Sequence, residues 1–344
     1  MLKPGLLPVW RDRDTLQIGI DSRRAVALTG MAGVAWVLSL LDGSRDRAQV
    51  IEAAADQGIP AETTERVLAL LATAGALDDF PAGTLRLLPP PLRARLAAEL
   101  AAASLANRDG DGGARTLARR LTAQVRIHGA GRVGTGIASL LTTSGIGRVT
   151  HADPPGDAAV PPPGPRRPSA KQSKPSQPST TLPRTPRPGS ARPGTAPAST
   201  ALPDLAILVG RHPMELRASL MRDQIPHLAV AADEAIGVVG PLVIPGRTAC
   251  LRCLDLTRSE RDPAWPLILA QLEGREPDPL ACDAPLAAAV AAQAAAQVLG
   301  FIDRAVAVDA VANGTLELVL PGWQWRRRTW PRHPGCSCGS HAVR

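Results

Sequence analysis

Apolar and polar positions follow two different periods in the first 82 residues. Two stretches, 7–20 and 23–30, alternate apolar with polar residues and are separated by a turn at "DSRR", so they predict β-strands. Three further stretches place apolar residues three or four positions apart, which predicts helices that end at glycines. These helices cover residues 32–44, 47–58 and 60–77, with Gly43, Gly58 and Gly75 at their ends. Strands followed by three helices predict a small α+β winged-helix domain over residues 1–82.

From residue 123 onward, short apolar runs alternate with helical stretches. The runs at 124–128, 148–153, 203–210 and 227–232 predict strands, and 235–246 predicts a strand, a turn and a second strand. This alternation indicates an α/β fold in residues 123–344, a Rossmann-like doubly wound and mostly parallel sheet. Between the two domains, the proline-led and Ala-rich residues 83–122 predict a helical connector.

Residues 154–203 interrupt the second domain with a low-complexity segment rich in Pro, Ser and Arg. It holds 15 of the chain's 34 prolines and too few apolar residues to bury a core, so it is predicted to be disordered. It also carries seven basic residues and one acid, which account for six of the net charge of +8. The rest of the chain is nearly neutral and has no base-reading motif, which argues against a nucleic-acid partner.

The winged-helix order also raises the possibility of DNA binding by the first domain. Its third helix, 60–77, has one Arg and two Glu, a poor surface for a phosphate backbone, so a peptide-binding role fits better.

The chain starts without a signal-peptide pattern, and the Ala-rich stretch 286–302 is too short and too weakly apolar to span a bilayer. We expect a cytoplasmic protein that does not associate with membranes, in which 286–302 forms either core or a homodimer face.

The stretch "IHGAGRVG" places a G-x-G-x-x-G pattern between a predicted strand and a predicted helix. Gly129 permits a tight turn, Gly131 allows close approach to a phosphate, and Gly134 lets helix and strand pack together. Asp153 lies 24 residues past Gly129, at the end of the next strand, where a ribose hydroxyl is bound in such folds. These four residues predict a nucleotide site, although the glycines can also serve packing alone.

The stretch "SGIGRVTHAD" after this pattern resembles the ThiF/MoeB-type adenylyltransferases, relatives of ubiquitin-activating enzymes, over roughly 123–340. The N-terminal domain is similar to the PqqD-like domains that recognise leader peptides. Together with "GPLVIPGRTACLRCLDLTRSERDP" and "HPGCSCG", the chain resembles the ThiF-like proteins of azol(in)e-peptide (bacteriocin) biosynthesis clusters. The resemblance implies a precursor or leader peptide and a modifying enzyme as partners.

Four of the five cysteines form two close pairs. Cys250 and Cys253 form a C-x-x-C, and Cys336 and Cys338 form a C-x-C near the C-terminus, each pair following a Pro-Gly. Two thiol pairs on turns predict a tetrahedral structural Zn²⁺ site. The resembled family commonly has zinc at two such pairs, with C-x-x-C more usual for the second, so His341 is an alternative fourth ligand.

Other chemistry is open to these cysteines. A redox C-x-x-C normally opens a helix after a strand in a thioredoxin-like unit, a context that this sequence does not predict. Cys282 stands alone beside Asp283, and no histidine lies near it in the sequence. Related activating enzymes use a lone cysteine as an acyl acceptor, but a spare structural cysteine is the commoner case.

The residues that would balance the negative charge of a bound triphosphate are missing. The resembled family uses an Asn-Leu-x-Arg-Gln stretch, a lysine and an Asp after a later strand, the last to hold Mg²⁺; here the corresponding positions read "PPGDAAVPPPGPRRPSA" and Gly210-Arg211. Asp233 is a possible metal ligand.

One hypothesis is a catalytically degenerate scaffold that presents a precursor peptide to a modifying enzyme. The other is an active ATP/Mg²⁺-dependent adenylyltransferase that activates a C-terminal carboxylate of a peptide or carrier protein, with catalytic residues not identified.

Overall fold

The computed structural model describes most of the chain in seven stretches. They are residues 1–31, 33–79, 88–107, 110–152, 202–272, 281–304 and 310–339. Asp153, His341 and the predicted disordered segment 154–203, except its last two residues, lie outside the described residues.

A three-stranded antiparallel sheet and three helices form the N-terminal unit. The strands are β1 (Pro8–Trp10), β2 (Thr15–Ile18) and β3 (Val26–Thr29), paired in the order β1-β2-β3. The helices are α1 (Val34–Ser39), α2 (Arg47–Ala55) and α3 (Ala61–Thr73). Alternate residues of β2 and β3, such as Leu16, Ile18 and Leu28, pack with the apolar positions of the helices into a core of their own. This is the small α+β arrangement that the sequence predicts.

The first predicted strand is wrong in one respect, because residues 7–20 form a hairpin of β1 and β2. The carboxylate of Asp12 accepts a hydrogen bond from the backbone N–H of Asp14 at 2.8 Å, and Arg11 N–H donates to the carbonyl of Thr15. A short acidic side chain that bonds two residues ahead is a local alternative to the strand ladder. The chain therefore reverses at residues 11–14.

Three helices lead from the first unit to the second: α4 (Pro90–Arg95), α5 (Ala97–Asn107) and α6 (Ala114–Thr122). A buried ion pair joins α5 to the N-terminal unit. Lys3 Nζ lies 3.1 Å from the carboxylate of Asp78 and donates to the carbonyl of Ser104 at 2.6 Å, while the Ser104 hydroxyl donates to Asp78. Both charged side chains are about 1% exposed.

The second unit is built on a seven-stranded mixed sheet. Its strands are β4 (Gln124–His128), β5 (Arg148–His151), β6 (Leu205–Val209), β7 (His227–Asp233), β8 (Ile236–Val243), β9 (Gly314–Val319) and β10 (Gln324–Thr329). Their order is β10-β9-β8-β7-β6-β4-β5. The strands β5, β4, β6 and β7 run parallel, and β8, β9 and β10 add to them as antiparallel pairs. The α/β class is confirmed, with parallel strands in one half of the sheet.

Helices cover both faces of this sheet. They are α7 (Gly131–Thr143), α8 (Met214–Arg222), α9 (Leu251–Arg261), α10 (Trp265–Leu272) and α11 (Ala284–Asp303). The apolar side of α11 is buried against α7 and the sheet, with Leu286, Val290 and Val298 fully inaccessible. By length and composition α11 would pass as a membrane span, so the expectation that this stretch is too short and too weakly apolar for one is not confirmed. Its buried apolar side is that of a core helix, one of the two roles that the sequence left open.

The predicted turn inside 235–246 is wrong, since β8 continues through Gly240 and Pro241. Gly240 has φ +106°, and a side chain there would contact the carbonyl of Gly314 at 2.6 Å. Glycine is therefore required to keep β8 close to the residues that lead into β9. The proline follows without ending the strand, because its partner strand β7 has a register shift between Leu228 and Val230.

Candidate functional site

The glycine turn lies at the point where the sheet's connections reverse direction. From β4 the chain passes through α7 to β5 on one side, and β6 lies on the other side of β4. A Cβ on Gly129 would collide with the carbonyl of Val209 at the end of β6, and Gly129 has φ +96°. Open α/β sheets bind ligands at the carboxyl ends of strands at such a reversal.

The structure gives a different reason for glycine at each of the other two positions of the turn. Gly131 opens α7 with φ +81°, and a Cβ on it would have no neighbour within 4 Å, so the space above it is open. Gly134 lies where a Cβ would be 3.0 Å from the carbonyl of Gly129, so it brings α7 against the turn. Close packing is enough to explain why positions 129 and 134 are glycines. Of the three glycines, Gly131 alone has an exposed backbone with open space above it.

Charged and aromatic side chains surround the turn. The rings of His128 and His212 meet edge to face with their centroids 6.2 Å apart, and His212 Nε2 donates to the Val209 carbonyl at 3.0 Å. Arg211, directly after β6, places Nη2 3.6 Å from Oδ2 of Asp233 at the end of β7. Arg211, which replaces the acid of the resembled family, is thus paired with Asp233, the possible metal ligand of the sequence analysis.

Cys282 lies near this group rather than near the other cysteines. Burial raises the pKa of its thiol, and the charge of Asp283 acts in the same direction while that of Arg132 opposes it. A thiol with a raised pKa is a poor nucleophile at neutral pH because less of it is ionised. The protonated state favours a structural role for Cys282.

The four remaining cysteines converge in space. Cys250 is the N-cap of α9, Cys253 lies in its first turn, and Cys336 and Cys338 come from the C-terminal segment. The Cys250–Cys253, Cys250–Cys336 and Cys253–Cys338 Sγ distances are 3.8, 3.6 and 3.4 Å. All four sulfur atoms lie within 4.8 Å of one another, so they can hold a metal ion.

The thiols in this cluster do not share one protonation behaviour. Burial raises the pKa of Cys250. Burial also opposes ionisation of Cys253, but hydrogen bonds from the backbone of His333 and Cys250 stabilise its thiolate and lower its pKa. Backbone N–H groups that already point at a sulfur are suited to thiolate ligands, whose negative charge they offset.

Aromatic and charged residues that the sequence analysis did not identify hold the cysteine segment in place. Trp330 is 2% exposed, and its indole N–H donates to Thr315 at 3.0 Å. The guanidinium of Arg258 on α9 lies 4.8 Å from the Trp265 ring and 5.2 Å from the Trp330 ring. Aromatic residues are rare in this chain, and Trp330 lies close to Cys336 in the sequence. That proximity was the available signal that Trp330 packs beside the cysteines.

Hydrogen bonds of His333 and an ion pair between α8 and α9 add to this support. His333 Nε2 lies 2.8 Å from the carboxylate of Glu260 on α9, and its Nδ1 accepts the backbone N–H of Gly335 at 3.0 Å. Asp255, one turn after Cys250 on α9, pairs with Arg217 of α8. The cluster therefore links α8, α9 and the C-terminal segment.

The N-terminal unit presents apolar side chains beside an open strand edge. All three residues of β1 are exposed, and Val9 and Trp10 are 39% and 58% exposed. Leu7 and Ile20, which flank the β1–β2 hairpin, are also exposed. In the part of the chain that the structure describes, β1 and β3 each pair with β2 alone, so both edges of the sheet are free.

No protein-family model matches the chain, and no curated protein matches it significantly. Solved structures do match it over nearly its full length. E. coli MccB with AMPCPP and selenomethionine MccA has 16% identity and a TM-score of 0.61, covering 98% of this chain and 99% of that chain. E. coli MccB with ATP has 15% identity and a TM-score of 0.60, covering 98% of each chain.

A third match is a heterocyclase in complex with substrate and cofactor, at 16% identity and a TM-score of 0.62. It covers 99% of this chain but 39% of that longer chain. At these identities the likeness shows a shared fold, which includes both the small N-terminal unit and the sheet of the second unit.

Proposed function

We propose that this protein is a catalytically degenerate, ThiF-like scaffold that binds a precursor peptide and presents it to a modifying enzyme. The pairing of Arg211 with Asp233 carries this proposal. In the resembled adenylyltransferases an acidic residue after this strand holds Mg²⁺, whereas here Arg211 stands after the strand and pairs with the carboxylate of Asp233. A metal-bound triphosphate would meet a cation there instead of an acid.

The lysine content supports the same conclusion. Lys3 is the single lysine in the part of the chain that the structure describes, and it is buried in the ion pair with Asp78. Lys171 and Lys174 belong to the Pro-rich segment. The negative charge that develops during nucleotidyl transfer is stabilised by cationic groups that are already in position. Removing one such group typically raises the activation free energy by about 2.7–4 kcal/mol.

Weak nucleotide binding remains part of the proposal. Gly129, Gly131 and Gly134 keep the backbone geometry of a phosphate-binding turn, and Asp153 is assigned to the ribose. MccB, whose fold this chain shares, was crystallised with ATP. The same likeness favours the second candidate function, an active ATP/Mg²⁺-dependent adenylyltransferase.

We assign structural Zn²⁺ to Cys250, Cys253, Cys336 and Cys338. Four sulfur atoms within 4.8 Å of one another, three of them on buried residues, match the tetrahedral thiolate sites that zinc prefers. When bound, the ion would cross-link the C-terminal segment to α9. With four cysteine ligands the ion would have no open position for a substrate, so we assign it a structural role.

The peptide site is assigned to the N-terminal unit. Free sheet edges with exposed apolar side chains can accept an extended peptide as an additional strand, in which main-chain hydrogen bonds supply affinity. MccB structures contain MccA, and the heterocyclase structure contains its substrate. A leader peptide along β1 or β3, a partner modifying enzyme and a cytoplasmic location complete the proposal.

Labelled synthetic peptides from the short reading frames beside the gene test this assignment with the full-length protein. Val9→Glu on β1 and Ala27→Glu on β3 change exposed positions on opposite edges, so each variant is the control for the other. We expect one of the two to weaken peptide binding in fluorescence anisotropy and the other to bind as the wild type does. Equal binding by all three proteins would contradict the assignment of the peptide to these strand edges, and no binding by the wild type would contradict the scaffold.

A further inference from the structure

The last strand of the large sheet has an unusual edge. β10 pairs with β9 and ends the sheet order, and five of its six residues are exposed. Between residues 318 and 339 the chain has four arginines and no acid, and Glu317 of β9 lies opposite Arg326 in the strand register. An open edge exposes a row of unpaired N–H and C=O groups to which another extended chain can pair.

The three consecutive arginines of β10 differ in how they are held. Arg327 donates to the carbonyls of Ala310 and Ala312 at 2.9 and 3.3 Å, so it is fixed to its own chain. Arg328 stacks on Trp330 at 4.6 Å and lies 3.9 Å from Glu317. Arg326 has no hydrogen-bond or ion-pair partner among the residues that the structure describes. Because residues alternate along a strand, Arg326 and Arg328 share one face.

An apolar contact point lies at the end of the same edge. Trp323 in the turn between β9 and β10 is 47% exposed, and Val319 at the end of β9 is 50% exposed. A segment that pairs along β10 would therefore meet cations in its middle and a large apolar ring at one end.

We propose that the β10 edge docks an extended acidic segment of a partner protein, which adds to the sheet as an eighth strand. Carboxylates of the segment would meet Arg326 and Arg328, and an apolar side chain would cover Trp323. This docking is separate from the peptide site of the N-terminal unit and does not depend on it.

Charge decides against a second copy of this chain as the occupant. Two β10 edges paired around a two-fold axis would place both sets of Arg326, Arg327 and Arg328 against one another. Like charges opposite each other across a strand pair are destabilising. A nucleic acid would use the arginines but would leave the strand's unpaired N–H and C=O groups without partners.

Three short synthetic peptides test the proposal with the full-length protein. The first alternates Glu with Val and Thr and ends in Leu; the second replaces Glu by Lys; the third repeats the first with alternate amides N-methylated. We expect the acidic peptide to bind in anisotropy and to slow hydrogen exchange of residues 324–329. The lysine peptide should not bind, and N-methylation, which removes strand hydrogen bonds, should weaken binding about tenfold.

A matched pair of variants locates the site. Arg326→Glu should weaken the acidic peptide about tenfold, and Arg222→Glu on α8, equally a surface arginine, should leave binding unchanged. Circular dichroism checks that both variants fold.

Four outcomes would overturn the proposal. The first is that the acidic peptide does not bind, and the second is equal binding by the N-methylated peptide, which would reduce the effect to charge attraction. The third is self-association that Arg326→Glu abolishes, which would assign the edge to a second copy. The fourth is displacement of the acidic peptide by a single-stranded oligonucleotide that binds more tightly at the same salt concentration.

Discussion

Arg211 and Asp233 form an ion pair across the carboxyl ends of β6 and β7, with Nη2 and Oδ2 3.6 Å apart. Arg211 follows β6 by two residues, and the carbonyl of Val209 at the end of β6 lies against Gly129 of the glycine turn. Both side chains are about half exposed, so the pair contributes little to stability. Under the scaffold proposal, its consequence is chemical, because the cation beside Asp233 would oppose the binding of a divalent metal ion there.

Nucleotide binding should therefore be weak and independent of Mg²⁺. We expect the affinity for ATP, measured by calorimetry, to be the same with Mg²⁺ as with EDTA, since the phosphates would meet Arg211 and backbone N–H groups rather than a metal. Asp233→Asn should leave this affinity unchanged, and Arg211→Ala should lower it. Binding that Mg²⁺ strengthens, and that Asp233→Asn then reduces, would identify Asp233 as a metal ligand.

Purified protein should contain about one zinc ion per chain. Cys250→Ser combined with Cys336→Ser removes one thiolate from each pair, so we expect zinc to be lost and the melting temperature to fall. Elemental analysis and a thermal melt measure the two effects. Cys282→Ser is the matched control and should retain the metal. Full zinc content in the double variant would refute the four-cysteine assignment.

The buried pair of Lys3 and Asp78 should hold the N-terminal unit against α5. Lys3→Met leaves a carboxylate buried without its partner, which typically costs about 3–5 kcal/mol in the free energy of unfolding. Lys3→Met with Asp78→Leu should recover part of this loss. Urea denaturation measures both, with Arg23→Met, in an exposed pair with Asp21, as a control that leaves the midpoint in place. A midpoint that Lys3→Met does not move would contradict a structural role for this pair.

The period of apolar residues predicted those helices and strands whose pattern lies within one short stretch of sequence. The helices at 47–55 and 61–73 and the strand Gln124–His128 were predicted close to their observed bounds, because each has one consistent apolar face or run. The hairpin at 11–14 was missed because an Asp side chain bond, rather than a glycine or proline, reverses the chain there.

Contacts between distant segments could not be predicted from local patterns. Lys3 is the third residue of the sequence, yet its side chain is buried and donates to the carbonyl of Ser104, 101 positions away. Arg211 was recognised as a cation in an acid's position, but its pairing with Asp233 depends on β6 and β7 being neighbours. The four cysteines were predicted as a group because metal sites impose spacing within pairs, which a sequence records directly.

Stability should fall as the pH falls from about 6.5 to about 4 because of His227. Burial lowers the pKa of this side chain to about 4 in the folded state, from 6.5. The unfolded chain therefore binds a proton in that range that the folded chain does not, which favours unfolding by up to about 3 kcal/mol at the acidic end. His227→Gln should flatten this part of the dependence in urea titrations. A variant with the same slope as the wild type would contradict burial as the cause.

The most direct test of the scaffold proposal is ATP–pyrophosphate exchange with the full-length protein, alone and with peptides encoded beside the gene. The same samples should show peptide binding by anisotropy, which establishes that the protein is folded and competent. The proposal predicts peptide binding without detectable exchange of radiolabelled pyrophosphate. Robust exchange that Asp153→Ala abolishes would contradict it and would establish an active adenylyltransferase.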